Sequence, residues 1–381
     1  MKRIGWIVAV LALLAGFVPV GGRAVSMELP VKSALLMDVA TGTVLYESQA
    51  HVPLAPASVT KVMTMLLIME AIDSGKIRWE DPVTASEEAA AKGGSQIYLK
   101  VGETMSVSDM VKSIAVSSAN DCACAMAEHI AGSEEGFVTQ MNARARELGM
   151  ENTNFINCTG LDDGPEGKDH VTSAYDIALM SRELLKSHPD IKKYTTIWMD
   201  TVRNGSFGLA NTNKMVRFYD GATGLKTGFT SGAGYCLSAS AQREGMELVA
   251  VVMGAETSKD RFAACKSLLD YGFANFSVIA PEYPELSIPV TLGKEKTVRA
   301  VPSGWDAMLI DKSQLSSVSV QTETEESVAA PVAKGQRLGT MTVKAGEQVL
   351  AQVPLVAEEG VEKLTFGNLF MIFLRKFCTA E

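Results

Sequence analysis

From Val62 to Ala71 the chain is apolar on nearly every face, through Val62, Met63, Met65, Leu66, Leu67, Ile68, Met69 and Ala71. A helix made from such a run has no polar stripe to turn toward water, so other elements must surround it. That requirement excludes a small fold. The sequence has the material: 381 residues, 47% apolar and 21% charged, a globular composition long enough for two or three domains. Pro53 and Pro56 break the chain ahead of this helix, which is expected to start near Ser58, and Gly75 is a plausible stop.

The elements that must surround it follow from local signals. Val31–Asp38 and Thr43–Tyr46 read as a hairpin around Ala40-Thr41-Gly42. Ser106-Val107-Ser108-Asp109 opens a helix running to about Val116. Further helices are expected over 121–130, ended by Gly132, and over 135–148, stopped by Gly149. Ser173 and Asp176 open another. From Gly221 the pattern changes to strands, at 224–227, 234–241 and 247–254, spaced as an antiparallel meander, with a last helix over 261–273. Strands at both ends and helices between them predict an α+β domain, an antiparallel sheet with helical layers. After Asn275 the composition shifts. Pro281 and Pro284 suggest a linker, and short β-like runs at 286–290, 297–301, 339–343 and 348–355 predict a small all-β domain. The expected organisation is 1–26 targeting segment, 27–275 catalytic domain, 276–360 β-domain and 361–381 tail.

Both ends of the chain point outward from the cell. Lys2 and Arg3 precede an apolar stretch from Ile4 to Val20, and Gly22-Arg23-Ala24 offers a cleavage site after Ala24, with Ser26 as the alternative. An uncleaved anchor is the rival reading, although the stretch is slightly short for spanning. In the tail, Phe366, Leu369, Phe370, Phe373, Leu374 and Phe377 fall on one helical face, with Lys363, Arg375 and Lys376 supplying charge. Leu369–Leu374 is far too short to cross a bilayer, so an amphipathic helix on the membrane surface is expected. Docking on the chain's own β-domain remains the alternative. The net charge of −9 and the lack of a basic stripe exclude nucleic acid as a partner. Six cysteines are scattered through the chain. Cys122 and Cys124 are too close in sequence to pair easily, and with His129 they lack a second ligand pair of zinc spacing. No metal or cofactor is expected; the cysteines read as small apolar filling.

Three short motifs carry chemistry. Ser58-Val59-Thr60-Lys61 puts a hydroxyl and an amine one helical turn apart. Burial and the helix N-terminus should lower the lysine pKa toward neutrality, making it a base for the serine. Ser118-Ala119-Asn120 falls between two helices, where a hydroxyl and an amide can enter a cleft together; standing alone, Asn120 reads better as a helix cap. Lys226-Thr227-Gly228 lies on a strand whose edge can pair with an extended substrate, while Lys226 and Thr227 hold a carboxylate; alone, it reads as an ordinary solvated strand lysine. In this order, in an exported chain, the three make the motif set of penicillin-recognising serine enzymes. No Gly-x-Ser-x-Gly is present.

The chain resembles the D-alanyl-D-alanine carboxypeptidases among low-molecular-weight penicillin-binding proteins. The stretches similar to that family are Pro56–Lys61, Ser118–Asp121 with Ala127–Gly132, Met141-Asn142 through Glu147–Met150, Asn211-Thr212-Asn213, and Gly224–Thr230 with Ala233-Gly234-Tyr235. The resemblance implies a penicillin-binding/β-lactamase-like fold and a serine carboxypeptidase that trims the terminal D-alanine of stem pentapeptides through an acyl-enzyme, with β-lactams as inhibitors. It implies Ser58 as nucleophile, Lys61 as base, Ser118 and Asn120 on the opposite wall, and Lys226 and Thr227 as the carboxylate site. The Phe229 N–H would complete an oxyanion hole, and Arg261 would help bind the carboxylate. The implied place is the outer face of the cytoplasmic membrane. The rivals are an endopeptidase, a β-lactamase, whose Glu-x-x-Leu-Asn setting is absent, and a non-catalytic sensor, against which Ser58 and Lys61 argue.

Overall fold

The computed structural model describes residues 27–162, 165–280, 282–304, 307–367 and 370–371. The expected targeting segment and most of the tail's apolar face lie outside them. Contacts divide the described chain into a larger unit ending at Phe276 and a smaller one beginning at Ser277.

In the larger unit β1 (Ser33–Asp38) and β2 (Val44–Ser48) form the N-terminal hairpin. A 3-10 turn, Ala57–Thr60, runs directly into α1 (Lys61–Asp73). There follow β3 (Pro82–Thr84), α2 (Glu87–Ala90), β4 (Thr104–Ser106), α3 (Val107–Ser117), α4 (Asn120–Ala131), α5 (Glu134–Glu147), α6 (Ala174–Ser187) and α7 (Lys192–Thr195). Then come β5 (Met199–Val202), β6 (Phe207–Ala210), α8 (Met215–Phe218), β7 (Ala222–Thr230), β8 (Gly234–Arg243), β9 (Met246–Ala255) and α9 (Ser258–Asn275). The main sheet has the order β2-β1-β9-β8-β7 with antiparallel neighbours throughout. The hairpin thus closes one side of the meander and leaves β7 at the edge.

The apolar helix sits where its sequence requires. Every residue of α1 from Lys61 to Met69 is buried, and α3, α4, α5 and α6 pack around it. β9 is buried along its whole length, between α6 and α9. Ser106 and Ser173 cap α3 and α6, each hydroxyl accepting the N–H three residues on at 3.1 Å; such a cap contributes about 1 kcal/mol. Two expectations shift. The helix expected from Ser58 is a tighter 3-10 turn as far as Thr60 and becomes an α-helix only at Lys61. Asn120 is no cap: it is the first residue of α4, and the cap position falls to Ala119.

The smaller unit begins with the last residues of β10 (Phe276–Ile279). It continues with β11 (Leu286–Thr291), β12 (Thr297–Pro302), β13 (Met308–Asp311), β14 (Val318–Thr324), β15 (Val328–Ala329), β16 (Arg337–Ala345) and β17 (Gln348–Ala357). Its main sheet has the order β14-β16-β17-β12-β11-β15, over a core of its own that includes Ile288, Leu338, Met341, Val343 and Leu355. Phe366, Phe370 and Met371, at the start of the tail, are exposed. Among the described residues no helix is long and apolar enough to cross a membrane.

Candidate active site

The site begins with the short register between a turn and a helix. Ser58 lies on the 3-10 turn and Lys61 is the first residue of α1, so their side chains meet across three residues: Lys61 Nζ lies 3.0 Å from Ser58 Oγ. Lys61 is fully buried. Burial costs an ammonium its hydration and pulls the Lys61 pKa from 10.5 to about 7, although Cys158 and Asp121 oppose the shift. A neutral amine beside a hydroxyl is the arrangement a serine nucleophile needs.

A second bond aims that amine. Lys61 Nζ donates to the Thr159 carbonyl at 2.7 Å. The carbonyl belongs to a turn wound on Asn157, whose Oδ1 accepts the Thr159 and Gly160 N–H groups at 3.1 and 2.7 Å. The turn presses on the 3-10 element: Gly160 has φ +83°, and a Cβ there would stand 1.9 Å from the Ala57 carbonyl oxygen. Behind the same element lies His170, which the sequence reading missed. Its Nδ1 accepts from the Ile156 N–H at 3.2 Å, so the proton belongs on Nε2, which donates to Thr60 Oγ1 at 2.8 Å. Thr60 Oγ1 in turn donates to the Ala57 carbonyl at 2.9 Å. Burial, reinforced by Lys61, lowers the His170 pKa to about 4. A single histidine with no neighbouring motif gives no sequence signal of this role.

The helical wall carries Ser118 and Asn120. Ser118 ends α3 in the left-handed region, φ 65°, a conformation a non-glycine residue adopts only where its surroundings impose it. Asn120 Nδ2 donates to the Gly93 carbonyl at 2.7 Å. Its Oδ1 is buried with no partner among the described residues, an acceptor left over for a ligand N–H or an amine. Asp121, also missed from sequence, holds the Ile97 and Leu99 N–H groups at 3.1 and 3.0 Å and so ties the chain before β4 to α4.

The opposite wall is β7. Gly228 lets it approach the 3-10 turn, since a Cβ there would lie 2.6 Å from the Pro56 carbonyl oxygen and 3.1 Å from the Val59 nitrogen. Lys226 is not a solvated strand lysine. It is 1% exposed, its Nζ donates to the Thr227 carbonyl at 2.9 Å, and burial, with Lys61 and Arg261 adding repulsion, pulls its pKa far down. Thr227 Oγ1 donates to Thr212 Oγ1 at 2.7 Å, and the Thr212 N–H bonds the Val116 carbonyl at 3.1 Å. Thr212 therefore bridges β7 to the end of α3, two residues before Ser118, and sets the two walls against each other. Arg261 stands behind the strand. Its Nη1 donates to the Gly228 carbonyl at 2.9 Å and lies 3.4 Å from the Cys236 carbonyl oxygen, while its Nε is buried without a partner among the described residues. In this state it braces β7 and β8.

The structure thus joins Ser58 to Lys61 directly, places Lys226 close enough to Lys61 for mutual repulsion, and links the Ser118–Asn120 turn to Thr227 through Thr212. The cleft can hold an extended peptide along the edge of β7, with the buried Lys226 amine placed to take up a proton against an incoming carboxylate and a basic amine at the serine. Cys122, Cys124, Cys158, Cys236 and Cys265 are all free and buried.

Comparison with known proteins agrees with this geometry. Residues 22–257 match the family described as D-alanyl-D-alanine carboxypeptidase, and residues 273–363 match the C-terminal domain of penicillin-binding protein 5. D-alanyl-D-alanine carboxypeptidase DacF of Bacillus subtilis is 44% identical over 354 residues, covering 91% of this chain and 90% of that protein. The crystal structure of penicillin-binding protein 5 from Haemophilus influenzae superposes with a TM-score of 0.76 at 31% identity, over 89% of this chain and 99% of that one. Penicillin-binding protein D2 of Listeria monocytogenes, solved in its ampicillin-bound form, matches with a TM-score of 0.59 at 32% identity, over 65% of this chain and 99% of its own. A buried lysine against a serine, faced by the serine–asparagine turn and the lysine–threonine strand, and a match spanning nearly the whole length, place the chain in the D-alanyl-D-alanine carboxypeptidase family.

Proposed function

We propose that the chain removes the terminal D-alanine from peptidoglycan stem pentapeptides by acyl transfer to Ser58, and that β-lactams inhibit it by acylating the same oxygen. Lys61, as the neutral amine, takes the Ser58 proton while Oγ attacks the carbonyl between the two D-alanines. The tetrahedral oxyanion is received by the N–H groups of Ser58 and Phe229. As the intermediate collapses, the D-alanine nitrogen leaves with a proton returned from Lys61 through Ser118. Water then attacks the ester, Lys61 again accepting the proton, and the bond to Ser58 Oγ breaks as Lys61 returns that proton to it. Lys226 and Thr227 hold the substrate carboxylate, and Asn120 positions the peptide amide.

The observation that carries this reading is the 3.0 Å contact between Ser58 Oγ and a fully buried lysine with a pKa near 7. Incubating the protein with a pentapeptide ending in D-Ala-D-Ala should release D-alanine, and Ser58→Ala should abolish it. Intact mass after ampicillin should show one adduct, on the peptide containing Ser58. No release by wild type, or release undiminished in Ser58→Ala, would defeat the reading. Cleavage of cross-linked dimers without D-alanine release would favour the endopeptidase, and rapid turnover of ampicillin the β-lactamase.

The proposed setting is extracytoplasmic, with export through residues 1–26 and attachment to the outer face of the cytoplasmic membrane through the tail. The tail sequence supports attachment by its aromatic face and flanking lysines and arginine. Removing residues 366–381, which leaves the β-domain core residue Val361 in place, should move the protein from the membrane to the soluble fraction after cell breakage; unchanged sedimentation would remove the tail's role.

A further inference from the structure

Beyond Lys61, the Asn157 turn leads to a second, partly buried polar cluster. Glu88, Cys124 and Glu134 bring ligand-type atoms within 4.8 Å of one another. The Lys92 ammonium already bonds both carboxylates, at 3.2 Å and 2.5 Å, so the cluster is satisfied by a side chain and is not an open cation site. Its second feature is a direct connection to the turn. Glu134, the first residue of α5, accepts on Oε1 from both the Cys158 N–H and the Cys158 thiol, each at 3.1 Å. Cys158 is the residue before Thr159, whose carbonyl holds the Lys61 amine. The Cys158 carbonyl accepts from Thr64 Oγ1 at 2.6 Å, one turn along α1 from Lys61.

We propose that Glu134 is a positioning residue for acylation, anchoring the Asn157 turn so that the Thr159 carbonyl directs the Lys61 amine at Ser58. A neutral amine has two N–H bonds and one lone pair. With one N–H held by Thr159, the lone pair is available to the hydroxyl; with the carbonyl displaced, the amine turns away and water follows. Lys92 completes the anchor. Burial would raise the Glu134 pKa, but the bonds from Lys92 and Cys158 together hold it below the ordinary carboxylate range, so Glu134 stays ionised wherever Lys61 works. Cys158 and Asp121 act on Lys61, and Lys61 in turn acts on Lys226 and His170. The groups around Glu134 are Lys92, Cys158 and Cys124, with Glu88 and Glu128 next to Cys124.

The inference rests on Ser58 and Lys61 being nucleophile and base, and two conservative variants test it separately from that reading. Glu134→Asp keeps the charge for Lys92 but withdraws the oxygen from Cys158. Glu134→Gln gives up the charge but keeps an acceptor at the same reach. Second-order acylation by ampicillin is measured against pH for each, normalised to the fraction of molecules that can be acylated, with thermal midpoints alongside. Glu134→Asp should acylate about tenfold more slowly, as expected for a displaced catalytic group, with its acid limb moved to higher pH because water now reaches Lys61. Glu134→Gln should stay within about threefold of wild type with the limb unmoved, an effect under 1 kcal/mol. Profiles of both variants superimposing on wild type, a slower Glu134→Asp with an unmoved limb, or a larger loss in Glu134→Gln than in Glu134→Asp would each overturn the proposal. Absence of acylation in wild type would instead overturn the assignment of Ser58 and Lys61.

Discussion

At the residue scale, the proposed activity turns on a lysine whose charge burial disfavours. Lys61 must be neutral to accept the Ser58 proton, so acylation by a β-lactam should rise with pH through about 7, where Lys61 titrates. Lys61→Arg, charged at every accessible pH, should lose acylation at all of them; a rate independent of pH between 5 and 9 would remove Lys61 from the role. His170 makes the opposite kind of statement, about stability. It is neutral in the folded chain down to about pH 4, whereas an unfolded histidine takes up its proton near 6.5. The unfolded state therefore binds more protons between these values, and stability falls as pH drops from about 6.5 to about 4. For a group 2% exposed the loss is about 3 kcal/mol in order of magnitude. His170→Gln should be less stable at neutral pH, yet its thermal midpoint should fall less steeply across that window. Parallel curves for wild type and variant would show that another group carries the acid sensitivity.

At the element scale, the site is a matter of how closely a strand and a turn approach. The β7 backbone reaches the 3-10 turn only because residue 228 has no side chain. Gly228→Ala would set a methyl group 2.6 Å from the Pro56 carbonyl oxygen, a backbone atom that cannot swing aside. Acylation should fall by about 10²-fold through misplacement of Ser58 against the strand, with a lowered thermal midpoint; a fold-intact variant acylating at the wild-type rate would mean that the gap is not needed. The sequence showed this approach only as a motif glycine. Elements with strong patterns or caps were legible: α1 from its unbroken apolar run, α3 and α6 from Ser106 and Ser173, the meander from the spacing of its strand segments. The short strands β3 to β6 and helices α2, α7 and α8 were not, since three or four residues hold no period and owe their form to tertiary contacts. The site divides the same way. Ser58, Lys61, Ser118, Asn120, Lys226 and Thr227 were legible because their types and order repeat a known chemical pattern. Thr159, His170 and Glu134 act through a backbone carbonyl, a tautomer and a helix-end carboxylate, none of which leaves a mark at fixed spacing.

At the scale of the whole molecule, the chain is built as two units. The candidate site residues, Ser58 through Arg261, fall within the larger unit, which has its own core around α1 and β9. The smaller unit has a separate core and closes its own six-stranded sheet. A hydrophobic core of its own in each unit is the usual mark of a domain. The Listeria protein, matched over 99% of its solved chain by 65% of this one, is an ampicillin-binding relative of about the larger unit's extent. A chain ended after Phe276 should therefore fold, keep a cooperative thermal transition, and be acylated by ampicillin at a rate within about twofold of the full chain, a difference of about 0.4 kcal/mol in the barrier. The cost of truncation should appear at long substrates and at membranes, where reach and attachment matter, and not in the reaction of Ser58 with a small β-lactam. An acylation rate that collapses in a truncated chain with a normal thermal transition would mean that the β-domain shapes the cleft itself, and the chemistry could no longer be assigned to the larger unit alone.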